Sequence, residues 1–305
     1  MSSKKSSKKS SKKKEIENKI DVAVFWDIVM GNPNGDPLND NNPRTTQDGQ
    51  YGVVSQGAIK HKINEAIAVL NENLSNYGVL LREDNSETIQ DVERGYFKKN
   101  GKEKSFEMER FLNDFWDRRA FGHVVTADNN HVSLRGAVVV HEGRSLHPIC
   151  SDEMQITKCV ASKNKPSKKK GTEDPEATPQ TETGKMGMRK FVEYGLYGTV
   201  ISIYPHQARK NRFSEEDKEK LLEAIKYMHE VGRSASNGLQ TVRKVFVFEH
   251  KNPLGDTSTG KIQKAVNVKF KSGSESVRSF DDVKSIEVDK ASIPKSVTVK
   301  ELELL

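Results

Sequence analysis

Three carboxylates, Asp36, Asp40 and Asp48, and one guanidinium, Arg44, punctuate residues 31–52, which read GNPNGDPLNDNNPRTTQDGQYG. Gly and Asn tolerate positive φ, and Pro fixes φ while removing a donor. With four glycines, three prolines and five asparagines, the stretch neither continues a strand nor starts a helix. A loop this long in a compact domain is functional or disordered, and its place between an apolar run and a well-signalled helix favours function. Two chemistries are open to it. Backbone amides outside any ladder can form concave nests for anions, which points to a phosphate-rich ligand. Alternatively, the three carboxylates could ligate a metal ion for hydrolysis. Prolines flank these acids, however, and no His or Lys at recognisable spacing suggests a general acid. No Ser/His/Asp or Cys/His signature is legible either, so we expect no catalytic residue, no cofactor and no metal.

The elements that must hold this loop lie on either side of it. Residues 20–30 alternate, with Val22, Val24, Trp26, Ile28 and Met30 on one face and Ala23, Phe25, Asp27 and Val29 on the other. Both faces are largely apolar, which predicts a central strand with Asp27 paired. After the loop, Ser55 is a plausible N-cap, and Ile59, Ile63, Ala66, Ile67, Leu70 and Leu74 recur at helical spacing. Lys60, His61 and Lys62 near the start of that helix read either as a solvated face or as a phosphate clamp beside the loop.

The chain has 305 residues and a formal charge of +7. Seven lysines lie in residues 1–14 with no acid among them, and removing them from the 50 basic residues leaves 43 against 43 acidic. The body is therefore formally neutral, and any grip on a polyanion must come from local placement. The Ser/Lys tail, residues 1–18, is low in complexity and expected to be disordered. Cys150 and Cys159 are too few for a disulfide framework or a zinc cage. With no apolar run of about 20 residues and no signal-peptide core, a cytoplasmic protein without membrane contact is expected.

Residues 19–305 read as a single domain with two insertions. The first, at about 76–130, is expected to carry its own small core, with a helix over 105–119 striped by Phe111, Leu112, Phe115 and Trp116. A strand over 132–141 would put Arg135 on a face with Ser133, Ala137 and Val139, suited to a backbone ligand. The second insertion, at about 145–190, reads as a protruding hairpin with basic flanks bearing Lys158, Lys185, Arg189 and Lys190. A strand over 199–204, a helix from Ser214 stopped by Gly232, a strand over 242–248, and short strands near 285–288 and 297–302 complete the chain. Without the insertions the order is strand, helix, strand, strand, helix, strand, the split βαβ order shared by RNA-recognition domains. The aromatic motif of those domains is absent, so backbone contact rather than base stacking is predicted.

Five blocks carry a family resemblance: GNPNGDP after the first strand, RGAVVVHEGRSLHPI, MGMRKFVEYGLYG, GRSASNGLQTVRKVFVFEHKNPLG and RSFDDVKSIEVDKASIPKSV. In this order, over roughly residues 20–305, the chain resembles the backbone subunit of the type I-C CRISPR Cascade complex. The resemblance implies an α+β fold, a modified ferredoxin-like (RRM) palm with an inserted helical finger region and a thumb β-hairpin. It implies copies packed head-to-tail along a CRISPR guide RNA, which pairs with one strand of target DNA. It also implies further Cascade subunits as partners, Cas-five-like and Cas-eight-like proteins and a small subunit. Asn32, Asn34, Gly35, Arg44, Arg135, Arg144, Lys158, Met186 and Arg189 become RNA-binding candidates, with Lys60 and Lys62 beside them. His147 and Asn237 depart from the family's usual residues. In related type III effectors an aspartate of the equivalent loop supports metal-dependent RNA cleavage, which makes Asp36 the residue of an alternative ribonuclease reading.

Overall fold

Alternation over residues 20–30 produces a strand, β1 (Ile20–Gly31), in the computed structural model, which describes residues 14–82, 87–100, 103–127, 132–157, 186–273 and 277–305. Val22, Val24, Trp26 and Ile28 enter one hydrophobic core, and Ala23 and Phe25 enter a second on the opposite face. Asp27, on the second face, is paired as expected. Arg243 Nη2 lies 2.9 Å from it and Tyr194 Oη donates at 3.5 Å. Past the loop come a short strand, β2 (Val53–Val54), and helix α1 (Gln56–Leu70), which starts where Ser55 Oγ accepts from Ala58 N at 3.3 Å.

The next strands of the main sheet are β3 (Val138–Val140), β4 (Gly143–Ser145), β5 (Ser151–Thr157) and β6 (Met186–Ile203). Helix α2 (Glu215–Tyr227) begins at a capping box between Ser214 and Asp217 and ends five residues short of Gly232, which takes a φ of +65° in the following turn. Then come β7 (Leu239–Glu249), helix α3 (Thr259–Ala265), β8 (Val266–Phe270), β9 (Val283–Val288) and β10 (Thr298–Glu301). The fold is mixed α/β around one antiparallel sheet of order β10-β7-β1-β6-β4-β2, with β3 and β5 also on β6. Helices α1 and α2 cover one face, through Ile59, Ile63, Ile67, Leu221 and Ile225. The other face is covered by the last fifty residues, through Ile262, Ala265, Ile286, Ile293 and Val297. A palm surface open to a ligand, as the strand pattern suggested, is therefore closed over much of its area.

A buried carboxylate ties that covering layer to the sheet. Asp21 Oδ2 accepts from Lys19 Nζ at 2.9 Å and His250 Nε2 at 3.0 Å, while Oδ1 accepts from Ser202 Oγ at 2.5 Å and Thr259 Oγ1 at 3.1 Å. Asp256 N donates to His250 Nδ1 at 2.9 Å, which leaves the ring proton on Nε2, facing Asp21. β1, β6, the end of β7 and α3 thus share one acceptor.

Three sequence expectations are corrected. The strand expected over 199–204 is β6, eighteen residues long. Its glycines masked it, and they are there for space. A Cβ at Gly198 would lie 3.0 Å from the Phe25 ring, and one at Gly195 would lie 2.7 Å from the Tyr197 ring. The strand expected over 132–141 is two strands in different sheets: Val132–Arg135 pairs with Gly122–Val125, and β3 pairs with β6. The break falls at Gly136, where a Cβ would lie 2.4 Å from the backbone of Phe121. The helix expected over 105–119 is also divided, into Met108–Asp114 and Trp116–Phe121. Gly78 causes this, donating to Asp114 O and accepting from Trp116 N, both at 2.9 Å. The rings of Tyr96, Phe106, Phe111 and Phe115 cluster as a local core. Trp116 and Ala120 nevertheless join the main core, and Arg119 makes a buried ion pair with Asp217 at 2.8 Å. The insertion is therefore fused to the sheet domain.

Among the described residues, no helix is long and apolar enough to cross a membrane.

Candidate nucleic-acid interface

Residues 31–52 form a shaped loop. Gly35 and Asp36 pair with Pro43 and Asn42, and a 3-10 turn, Pro37–Asn39, starts where Asp36 accepts from Leu38 N. Of the four glycines only Gly49 has positive φ (+73°); Asp40 and Asn41 take the other left-handed positions, at 49° and 58°. Gly31, Gly35 and Gly52 serve close approach instead, since a Cβ on each would lie 2.2, 2.0 and 2.2 Å from Asn237 O, Asn41 Oδ1 and Tyr197 Oη. Gly31→Ala is expected to destabilise the fold by about 1–3 kcal/mol, because backbone must shift to admit the methyl group. The midpoint of urea unfolding measures it.

Many of the loop's amides donate within the loop or to its neighbours. Asn32 N reaches Ser236 O at 2.9 Å, Arg44 N reaches Asn34 O at 3.0 Å and Thr46 N reaches Tyr51 O at 2.7 Å. The buried Asn32 side chain accepts from Asn34 N and donates to Asn41 O, and Asn34 Oδ1 accepts from Ser55 N at 2.9 Å. Asn32, Asn34 and Gly35 therefore set the loop's shape and tie it to the start of α1.

Cations gather around this frame. Arg44 lies 3.3 Å from Asp36. Its carbonyl accepts from Val53 N, and Val53 is the partner of Arg144 on β4. The exposed Arg144 lies over the Tyr51 ring, 4.7 Å from its centroid. From β6, Arg189 Nη2 donates to Met30 O at 2.6 Å and Ala235 O at 2.7 Å, and Lys190 Nζ lies 2.6 Å from Asp40. The base of the β5–β6 hairpin thus clamps the end of β1, the loop and residues 234–238. Lys62 Nζ reaches Glu65 at 2.9 Å and Gly232 O at 3.4 Å.

Not every candidate falls here. Lys60 points to the insertion, 5.5 Å from the Phe121 ring centroid, where burial and then the charge of Arg118 lower its pKa. It does not form a clamp with Lys62. Arg135 is exposed at the end of its small hairpin, opposite Gly122, and its carbonyl accepts from Asn211. Lys158 lies outside the described residues, and Met186 marks the last described pair of the hairpin, opposite Thr157. His147 is internal: Leu196 N donates to Nε2 at 3.1 Å, and the Nδ1 proton goes to Pro148 O at 2.7 Å. Tyr51 was missed as a partner of Arg144. A lone tyrosine in a polar loop carries no signal until β2 and β4 are paired.

The three loop acids are held apart, Asp36 by Arg44 and Leu38 N, Asp40 by Lys190, and Asp48 by Thr46 and Gln50 N. Among the described residues, no group of three or more His, Cys, Asp or Glu is placed to hold a metal ion.

This arrangement, cations and shaped backbone around one loop, coincides with a family match. The family described as CRISPR-associated protein Cas7 matches residues 18–289, nearly the whole chain, and the protein belongs to that family. No curated protein matches the chain. Among solved structures, a chain of a "CRISPR RNA-guided surveillance complex, pre-nicking" is similar, with 12% identity over 76% of this chain and 78% of that one and a TM-score of 0.47. A chain of a "CRISPR RNA-guided surveillance complex" is similar at 12% identity, over 76% of this chain and 69% of that one, with a TM-score of 0.44.

Proposed function

We propose that this protein is a non-catalytic backbone subunit of a CRISPR surveillance complex of the type I-C Cascade kind, polymerised head-to-tail in the cytoplasm along a guide RNA. The sheet domain is the ferredoxin-like, RRM-type palm, residues 76–130 supply fingers, residues 145–190 supply the thumb, and residues 1–18 are a tail. Arg44 and Arg144 hold phosphates directly, Lys62 adds charge near the start of α1, and Lys60 and Arg135 contribute only from farther out, on the side of the insertion. Asn32, Asn34, Gly35 and Arg189 set the shape of the loop, and Lys158 and Met186 act from the thumb. The guide then pairs with a target DNA strand, and Cas-five-like, Cas-eight-like and small subunits complete the particle.

The observation that carries this reading is the family match over residues 18–289. The interface described above supports it. A guide must be held by its spine, because base pairing reads the sequence. A few placed cations on a neutral body do that without indiscriminate condensation on nucleic acid. Head-to-tail packing is heterologous and grows into an open helix unless capped. The test is expression with a CRISPR array and the neighbouring subunits, followed by extraction of bound RNA. One discrete guide length with periodic nuclease protection is expected. A lone protomer free of RNA overturns the proposal.

A further inference from the structure

The last fifty residues close the second sheet face only in part. α3 and β8–β9 form the cover, and β9 lies toward β7 and β10, with which it bounds an open groove. The free edge of β8, which pairs with β9 alone, is therefore the one that overhangs β4 and β6. Under that edge lies a cavity of about 130 Å³, walled by Ala23, Phe25, Leu146, Val200, Val266 and Val268. Gly198 of β6, with no side chain, adds to its floor. The space is close to the roughly 150 Å³ at which an apolar cavity accepts one small ring.

This cavity opens to solvent. Leu146, Gly198, Val266 and Val268 are each half-buried, and Arg144 and Gln263, at the mouth, are exposed. The Gln263 amide has no hydrogen-bond partner among the described residues. Charge is unbalanced on the α3–β8 wall. Residues 257–273, which contain α3 and β8, hold Lys261, Lys264, Lys269 and Lys271 and no acid. All four lysines are exposed, and none has a carboxylate within 4.0 Å among the described residues. In a formally neutral body this wall is a local excess of cations.

An unpaired strand edge is a template for a further extended segment. The apolar cavity beside it has room for one bulky side chain, and the lysines attract carboxylates on either side of that anchor. A nucleic-acid strand would use the lysines but neither the aliphatic walls nor the strand edge. We propose that this site docks an extended acidic segment of a partner protein. The segment pairs with β8, places one bulky apolar side chain in the cavity and sets its carboxylates against Lys264 and Lys269. Arg144, on the opposite wall, stays available to the guide. That the partner belongs to the same particle rests on the function proposed above, whereas the pocket and its chemistry do not.

The chain is co-expressed with the neighbouring subunits and a CRISPR array, with the photo-crosslinker p-benzoylphenylalanine at position 263, and the purified particle is irradiated. Mass spectrometry is expected to identify one crosslinked segment of a partner subunit that joins a Leu, Ile, Met or Phe to at least two Asp or Glu residues. That segment, made as a synthetic peptide, is then titrated into the full chain by fluorescence anisotropy. Replacing its apolar residue by alanine should weaken binding about tenfold or more. Gln263→Trp, which closes the mouth from an exposed helix position, should do the same. Lys264→Glu should weaken binding and flatten its dependence on salt. Crosslinks confined to RNA, to a second copy of this chain or to a segment without carboxylates overturn the proposal, as does peptide binding that ignores the folded Gln263→Trp variant. A particle that carries its guide but shows no crosslink at position 263 sinks the docking site and leaves the function proposed above standing. An acidic segment captured by a chain that retains no guide RNA does the reverse.

Discussion

Asp21→Ala is expected to destabilise the protein by about 3–5 kcal/mol, the usual result of removing one partner from a buried ion pair. Lys19 and His250 are 4% and 3% exposed, so neither can turn to water when its acceptor is gone. Ser202 and Thr259 lose their acceptor at the same time. Replacing Lys19 and Asp21 together by Met and Leu should cost less than Asp21→Ala alone, because no orphaned charge is left behind. Urea unfolding at neutral pH checks both expectations; equal losses would show that shape, not charge, matters at this point.

The same carboxylate predicts an acid response. Burial pushes its pKa up, but hydrogen bonds from His250, Ser202 and Lys19, with the charge of Lys19, outweigh that and hold it below the ordinary 3.8. A carboxylate depressed in the folded state contributes stability that is complete above its unfolded value and disappears as pH falls through the folded one. The gap in stability between wild type and Asp21→Asn should therefore be constant from neutral pH down to about 5 and close below about 4. Hydrogen exchange would locate the effect, with α3 and β8–β9 losing protection first, since Asp21 is what ties α3 to the sheet.

The second large effect concerns RNA. Replacing Arg44 and Arg144 together by alanine should weaken guide retention by about tenfold or more, given about 1.5–3 kcal/mol for a hydrogen bond to a charged group. It should also flatten the slope of log affinity against log salt by about 1.4, at roughly 0.7 per phosphate charge on a single strand. Arg135→Ala should do less, because the neighbours of Arg135 are Gly122 and Asn211 rather than the loop. Filter binding across a salt series distinguishes these outcomes. A slope that is unchanged in the double variant would remove Arg44 and Arg144 from the interface.

Arg189 shows how far residue type alone carries such an argument. Its basic character and its place beside Lys190 point toward nucleic acid. In the folded chain its guanidinium is committed to the carbonyls of Met30 and Ala235, across 159 and 46 residues. What it does in the fold is fix the start of the loop and residues near Ala235 to β6. Asn32 is a similar case: a polar side chain in a polar loop, buried at 8% exposure and occupied by Asn34 and Asn41. Asp27 runs the other way. One charge inside an apolar strand has to be paired, and only its partner, Arg243, stayed hidden.

What was readable from one dimension is what neighbours along the chain decide: the two-faced strand β1, Ser55 and Ser214 as helix caps, a long loop of turn residues, and a charge-balanced body behind a lysine tail. Periodicity and capping act over a few residues, and so they survive in the sequence. Folding alone decided that Gly78 splits a helix, that Gly136 divides a strand between two sheets and that the last fifty residues close the second sheet face. It also decided that Arg44 and Arg144 become neighbours through Val53. Each of these depends on backbone segments meeting across tens to hundreds of residues, where the space around a missing Cβ and the register of a ladder determine the outcome, and neither leaves a local pattern to read.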